Sequence, residues 1–156
     1  MLDAKMEPSD PASGLPLELL AGRYVVCRLD PSQEVPPWAW AGTGQLASVT
    51  RTDAELSIIC AEAAVPVTVE RAERGWRALR VAGPLDFNAV GVMARLTAPL
   101  ARAGISILAL ATFDTDYLLV READLDRAIA ALRAAGHRVG DRGQVTGYNG
   151  SISCSL

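Results

Sequence analysis

The feature that most narrows the fold is the order in which hydrophobic periods change between Trp76 and Gly140. Trp76–Ala82 reads as a strand. From Phe87 to Ala103 the apolar residues Val90, Met93, Leu96 and Leu100 recur three or four apart, which places them on one helix face. Asp86 is the expected N-cap of that helix, Gly104 its stop, and Pro99 should bend its last turn. Ile105–Ala111 is apolar on both faces, as a central strand would be if covered on one side and paired or packed on the other. Tyr117–Arg121 follows after a tight turn. A second helix is expected over Glu122–Ala135, with Leu125, Ala128, Ile129 and Leu132 on its inner face. Acids open it, Arg133 lies in its last turn and Gly136 ends it. A short strand over His137–Gly140 closes the series.

Strand, helix, strand, strand, helix, strand is the ferredoxin-like βαββαβ unit, an antiparallel sheet with both helices on one face. The expected class is therefore α+β. The first half fits the same scheme with its first helix reduced. Arg23–Leu29 is strand-like, and Pro36-Pro37 leaves room only for a helical turn at Trp38–Ala41. Leu46–Arg51 and Leu56–Cys60 form a hairpin around Thr52–Glu55, and Val65–Glu70 with Trp76–Ala82 should form another around Glu73-Arg74-Gly75. The hairpin of residues 46–59 echoes that of residues 108–120: each has an apolar strand ending in Thr and an acid opening the next strand. The expected organisation is a tail at 1–14, a reduced first unit at 15–71, a second unit at 72–140, and a Gly/Ser/Asn-rich tail at 141–156.

Composition removes several functions. Half of the 156 residues are hydrophobic and 21% are charged, too apolar for a disordered body. A net charge of −3 argues against sequence-independent nucleic-acid binding, which needs cationic phosphate contacts. No apolar run has the roughly 18–20 residues of a membrane span. Cys27, Cys60 and Cys154 are too widely spaced for a disulfide framework or a Cys-X-X-Cys site, and His137 is the only histidine. No metal or cofactor motif is present, and Gly42-Thr43-Gly44 reads as a turn. His137, just past a helix end, is expected as a cation favoured by the helix dipole. Trp38 and Trp40 read as packing over the sheet edge, or as a ligand platform; Cys27 and Cys60 read as small core residues. The N-terminus has no apolar signal-peptide core, so a reduced, cytoplasmic protein is expected.

Two segments exceed structural need. Gly83-Pro84-Leu85-Asp86-Phe87 delivers backbone N–H groups at a helix start, which suits a carboxylate or phosphate unless Asp86 satisfies them itself. Thr112-Phe113-Asp114-Thr115-Asp116 supplies more acids, hydroxyls and aromatic surface than a hairpin turn requires. An anion-seeking helix start beside a carboxylate-bearing hairpin is what a zwitterionic amino acid needs.

These residues carry a resemblance. The stretch Gly83–Leu132, with its GPLDF, LTAPLA-x-AGISI and TFDTDYLLV motifs, is similar to the ACT domains of the CASTOR cytosolic arginine sensors. It resembles small bacterial ACT proteins more closely still. Thr50–Ile59 resembles the first, reduced ACT unit of such proteins. The resemblance implies tandem ACT-like units and a ligand bound between two of them. Ser106 and Ile107 would line one side; Asp86, Ala89, Thr112, Phe113 and Asp116 would line the other, with Thr115 assisting, in a pocket completed by a second copy. Asp86 stands where the sensors have Gly, and Ala89 where they have the acid that reads a basic ligand. The expectation is a non-catalytic amino-acid sensor, homodimeric and without cofactor. The alternatives are a ligand-free dimerisation module and a small enzyme using His137 or Cys60.

Overall fold

A computed structural model of the protein describes residues 14–42 and 46–141. Most of both expected tails, and residues 43–44 of the expected turn, lie outside the described residues. In chain order the elements are β1 (Pro16–Leu19), β2 (Tyr24–Leu29), α1 (Trp38–Ala41), β3 (Ser48–Arg51), β4 (Leu56–Ala61) and β5 (Ala72–Val81). They continue with α2 (Val92–Arg102), β6 (Ile107–Ala111), β7 (Asp116–Arg121), α3 (Leu125–Ala134) and β8 (Arg138–Asp141). A short 3-10 turn follows each of β4 and β7, at Glu62–Ala64 and Glu122–Asp124. The architecture is α+β with a mostly antiparallel sheet, as the periodicity predicts.

The long strand β5 organises the sheet. One of its edges pairs with β7 from Trp76 to Arg80. The other edge pairs first with β2, through Ala72–Trp76, and then with β1, through Leu79–Val81. Beyond β2 lie β4 and β3; beyond β1 lies β8, parallel to it; beyond β7 lies β6. β1 was not foreseen: four residues of the first half are wedged between β5 and β8 of the second, and Asp141 pairs with Leu19.

The expected hairpin of Val65–Glu70 with Trp76–Ala82 does not form. Residues 65–71 make turns, and β5 runs through Glu73-Arg74-Gly75 without reversing. Gly75 has φ +80, opposite a register shift in β2, so it is a bulge in a continuous strand. Ile107–Ala111 is likewise an edge strand and not a central one, because only β7 pairs with it. The hairpin echo is real in three dimensions, but shifted. Thr52 N–H donates to Glu55 C=O (2.9 Å) as Thr112 N–H donates to Thr115 C=O (2.8 Å), so Thr52, not Thr50, corresponds to Thr112.

Three apolar clusters hold these layers. α2 and α3 bury Leu96, Leu100, Ala128 and Leu132 against Leu17, Leu79, Val81, Leu118 and Val120 of the sheet. In the first half, Ala39 of α1 packs on Val25, Cys27, Leu56, Ile58 and Cys60. The third cluster joins Tyr24 and Leu46 to Trp76, Ala78 and Leu119, with Leu108 and Leu110 against them. Strand alternation along β5 thus sends Leu79 and Val81 to the helices, and Trp76 and Ala78 to the first half.

His137 is not the expected surface cation. It is buried, and Leu15 N–H donates to its Nδ1 at 3.0 Å. An N–H donor fixes Nδ1 as unprotonated, so the ring is neutral and Nε2–H donates to Arg95 C=O at 3.2 Å. That carbonyl lacks its usual helical donor because the residue four positions on is Pro99.

Candidate functional site

A cavity of about 190 Å³ opens between the β5–α2 loop and the β6–β7 hairpin. It is lined by Leu85, Asp86, Phe87, Ala89 and Val92 on one wall, and by residues 111–116 on the other. That volume is below the roughly 300–1,000 Å³ of pockets that enclose a drug-sized ligand. It suits a small guest, or half of a larger site.

The loop wall differs from expectation in one respect. Asp86 does not cap α2. Its carboxylate accepts Asn88 N–H at 2.8 Å, and its carbonyl accepts Ala89 N–H at 2.9 Å, so residues 86–89 form a separate turn. Gly91, with φ +80, then redirects the chain, and the helix starts at Val92 with no side-chain cap. Val90, expected on the core stripe, is 92% exposed for the same reason, and Phe87 is 77% exposed. A glycine inside a helical pattern was the available warning.

The hairpin wall is tied down by its threonines. Thr112 Oγ donates to Thr115 C=O (3.0 Å) and accepts Thr115 N–H (3.3 Å), while the buried Thr115 Oγ donates to Val81 C=O (2.6 Å). Leu85 N–H donates to Asp114 C=O at 2.8 Å, linking the two walls. Both hydroxyls are therefore committed to the fold. What the cavity presents instead is carboxylate and aromatic surface. Phe87 and the 83%-exposed Phe113 meet at its lip with ring centroids 5.5 Å apart. Asp116 is half-buried, accepts no hydrogen bond from a described residue, and has its carboxyl pushed above the usual range by burial. No Lys, Arg or His is among the lining residues.

Of the eight residues expected in a site, Asp86, Ala89, Thr112, Phe113, Thr115 and Asp116 line this one cavity. Ser106 and Ile107 do not: they lie at the opposite end of β6 from the hairpin, roughly 13 Å along the strand at 3.3 Å per residue. Leu85, Phe87, Val92 and Asp114 were missing from that expectation. Phe87 and Asp114 lay inside the two segments singled out; Leu85 and Val92 carried no chemical signal.

Other candidate chemistry lies elsewhere. Cys27 and Cys60 are buried on β2 and β4. Burial raises both thiols, Cys60 to about 11 with a further push from Cys27, while Arg74 opposes the shift in each; neither is a ready nucleophile. His137 has both ring nitrogens engaged by backbone. Trp38 packs against the first-half core, whereas Trp40 is 59% exposed. Among the described residues no group of His, Cys, Asp and Glu could hold a metal ion, and no helix is long and apolar enough to cross a membrane.

The sequence model of the ACT domain matches residues 71–134, and a second, described as an N-terminal domain, matches residues 22–68. The human cytosolic arginine sensor for mTORC1 subunit 1 is 39% identical over 59 residues, 37% of this chain but only 18% of the sensor. Protein Atu0741 from Agobacterium tumefaciens is similar over 88% of this chain and 100% of its own, with 36% identity and a TM-score of 0.77. Protein VC0802 from Vibrio cholerae, described as of unknown function and a possible transport protein, aligns at 21% identity with a TM-score of 0.64, over 80% of this chain and 91% of its own. Aspartate kinase from Clostridium acetobutylicum shares the fold alone, at 7% identity and a TM-score of 0.58 over 78% of this chain and 34% of the kinase.

Proposed function

Because the chain belongs to the ACT domain family, we propose that it is a non-catalytic regulatory protein that binds a free amino acid in the cavity between the β5–α2 loop and the β6–β7 hairpin. The observation that carries this reading is the Asp116 carboxylate, half-buried, without a partner among the described residues, and roofed by two phenylalanines. A carboxylate in that state lowers its energy by taking a cation that also donates hydrogen bonds. An α-ammonium, or the cationic end of a basic side chain, does both. Phe87 and Phe113 then cover the guest's aliphatic carbons, and their faces add cation–π attraction. Val92 lines the cavity at the uncapped start of α2, where N–H groups and the helix dipole receive the guest's carboxylate.

In this reading Thr112 and Thr115 shape the hairpin and do not touch the ligand. Residues 15–71 form a reduced first ACT-like unit that lends β1 to the sheet of the second unit, 72–140. The protein works in the cytoplasm as a homodimer and needs no cofactor or metal.

Isothermal calorimetry of the full chain against each of the twenty amino acids tests the proposal. Heat is expected with one amino acid or a chemically related few, and Asp116→Ala should abolish it while leaving the unfolding midpoint within a few degrees. Silence from folded protein with all twenty refutes the binding reading and leaves a dimerisation module.

A further inference from the structure

Three of the described strands have an unpaired edge: β3, β8 and β6. Exposed edges normally carry charges, proline, bulges or a covering element that deters pairing with another chain. β3 ends in Arg51, whose guanidinium folds back onto the carbonyls of Pro31 and Gln33, and β8 begins with Arg138. β6 has none of these devices. Its sequence is Ile-Leu-Ala-Leu-Ala, its register with β7 is unbroken, and Ala109 and Ala111 are exposed.

The hairpin bond from Thr112 N–H to Thr115 C=O sets which backbone groups face outward. In an antiparallel ladder, hydrogen-bonded and non-hydrogen-bonded pairs alternate. Counting back from Thr112–Thr115, Leu110 and Leu108 bond to Tyr117 and Leu119 of β7. Ile107, Ala109 and Ala111 therefore turn their N–H and C=O groups away from β7, towards the unpaired edge. We infer that this edge pairs with the same edge of a second copy, antiparallel about Ala109, and that the partner's Ile107 thereby arrives at the cavity.

A two-fold centred on Ala109 sets Ile107 of each chain opposite Ala111 of the other, and each Ala109 opposite its counterpart. All three outward residues then exchange both main-chain bonds, on the order of six in total. Paired strands share side-chain faces, so the partner's Ile107 projects on the helix side beside Ala111, which lines the cavity. The partner's Ser106 falls opposite Thr112. Two residues that a single chain keeps about 13 Å from its own cavity become a wall of the partner's. A second copy is the occupant because one strand supplies both sides of a matched, uncharged pairing, and because a half-open cavity lies at the end of that strand.

The inference rests on the amino-acid reading only for what fills the cavity; the seam stands separately. Sedimentation of the full chain at micromolar concentration should give a dimer. Ala109→Pro removes an outward N–H that β7 does not use, so the hairpin survives. Ala109→Lys places a charge on the edge if the proline variant fails to fold. Either folded variant should dimerise at least about tenfold more weakly and bind its amino acid at least about tenfold more weakly. A monomeric wild type, or folded variants that dimerise as tightly as wild type, overturns the seam. A monomeric variant with undiminished amino-acid affinity overturns the shared cavity. Loss of dimer in variants of a protein that binds no amino acid at all upholds the seam and refutes the functional reading.

Discussion

Replacing His137 by leucine tests how the N-terminal strand is fastened to the second unit. The imidazole meets two needs at once: it accepts Leu15 N–H at 3.0 Å, and it donates to the Arg95 carbonyl that Pro99 leaves without a helical donor. Leucine fills similar space and does neither. A buried donor left unsatisfied costs about 1–3 kcal/mol, and the partly buried carbonyl adds roughly 0.5–1.5 kcal/mol. The loss should total about 1.5–4.5 kcal/mol, a drop of roughly 4–14 °C in Tm at about 3 °C per kcal/mol. Urea unfolding, followed by the fluorescence of buried Trp76, measures it. The cycle with Pro99→Ala isolates the second bond, because an alanine in place of the proline restores an N–H to Arg95 C=O. His137→Leu should be less costly by about 0.5–1.5 kcal/mol in that background. A cost under about 0.5 kcal/mol, or an equal cost in both backgrounds, would refute the double role.

Asp116→Asn should raise the unfolding midpoint at neutral pH. Burial lifts the folded carboxyl above its unfolded value, so the charged form weakens the fold once pH exceeds the ordinary carboxylate range near about 4. The advantage should fade in melts below that range, and an Asn variant no more stable at pH 7 contradicts the burial argument. Cys27 and Cys60 should resist a thiol reagent at mildly alkaline pH in a Cys154→Ser background until urea unfolds the chain, given that the Cys60 thiol is raised to about 11; rapid native labelling counts against their core placement. Thr115→Val leaves Val81 C=O without its 2.6 Å donor and should cost about 1–3 kcal/mol in urea unfolding. A neutral result would show that the hydroxyl is dispensable to the hairpin.

The second unit was legible because its periods are long and distinct. The stripe Met93, Leu96 and Leu100, and the alternation Leu118–Val120, each leave one satisfactory packing. What misled was local chemistry with two outcomes. Asp86 can cap a helix or close its own turn, and Gly91 decides for the turn, which no count of apolar residues reveals. Gly75 with its neighbours reads as a reversal, yet the same left-handed residue serves a bulge when the strand has partners on both edges. β1 was invisible for another reason. A four-residue strand acquires its identity from β5 and β8, elements distant in sequence. The cavity was half legible: its acids and Phe113 were surplus to turn-making, but the commitment of Thr112 and Thr115 to backbone bonds appears only once Val81 stands beside the hairpin.

The duplication itself argues for where interaction is concentrated. The two hairpins close alike: Thr52 Oγ accepts Glu55 N–H as Thr112 Oγ accepts Thr115 N–H. Their surroundings then diverge. In the first, Arg28 pairs with Glu55 at 3.1 Å and donates to Ala54 C=O at 2.9 Å, and Arg51 guards the edge strand. In the second, the position matching Leu56 is Asp116, whose carboxylate has no partner among the described residues, and the position matching Arg51 is Ala111, which leaves the edge uncharged. Two substitutions on one scaffold turn a closed hairpin into one with an unanswered anion and an open strand edge. Both features call for something outside the chain, an ammonium for the carboxylate and a strand for the edge, and they lie at the same end of β6.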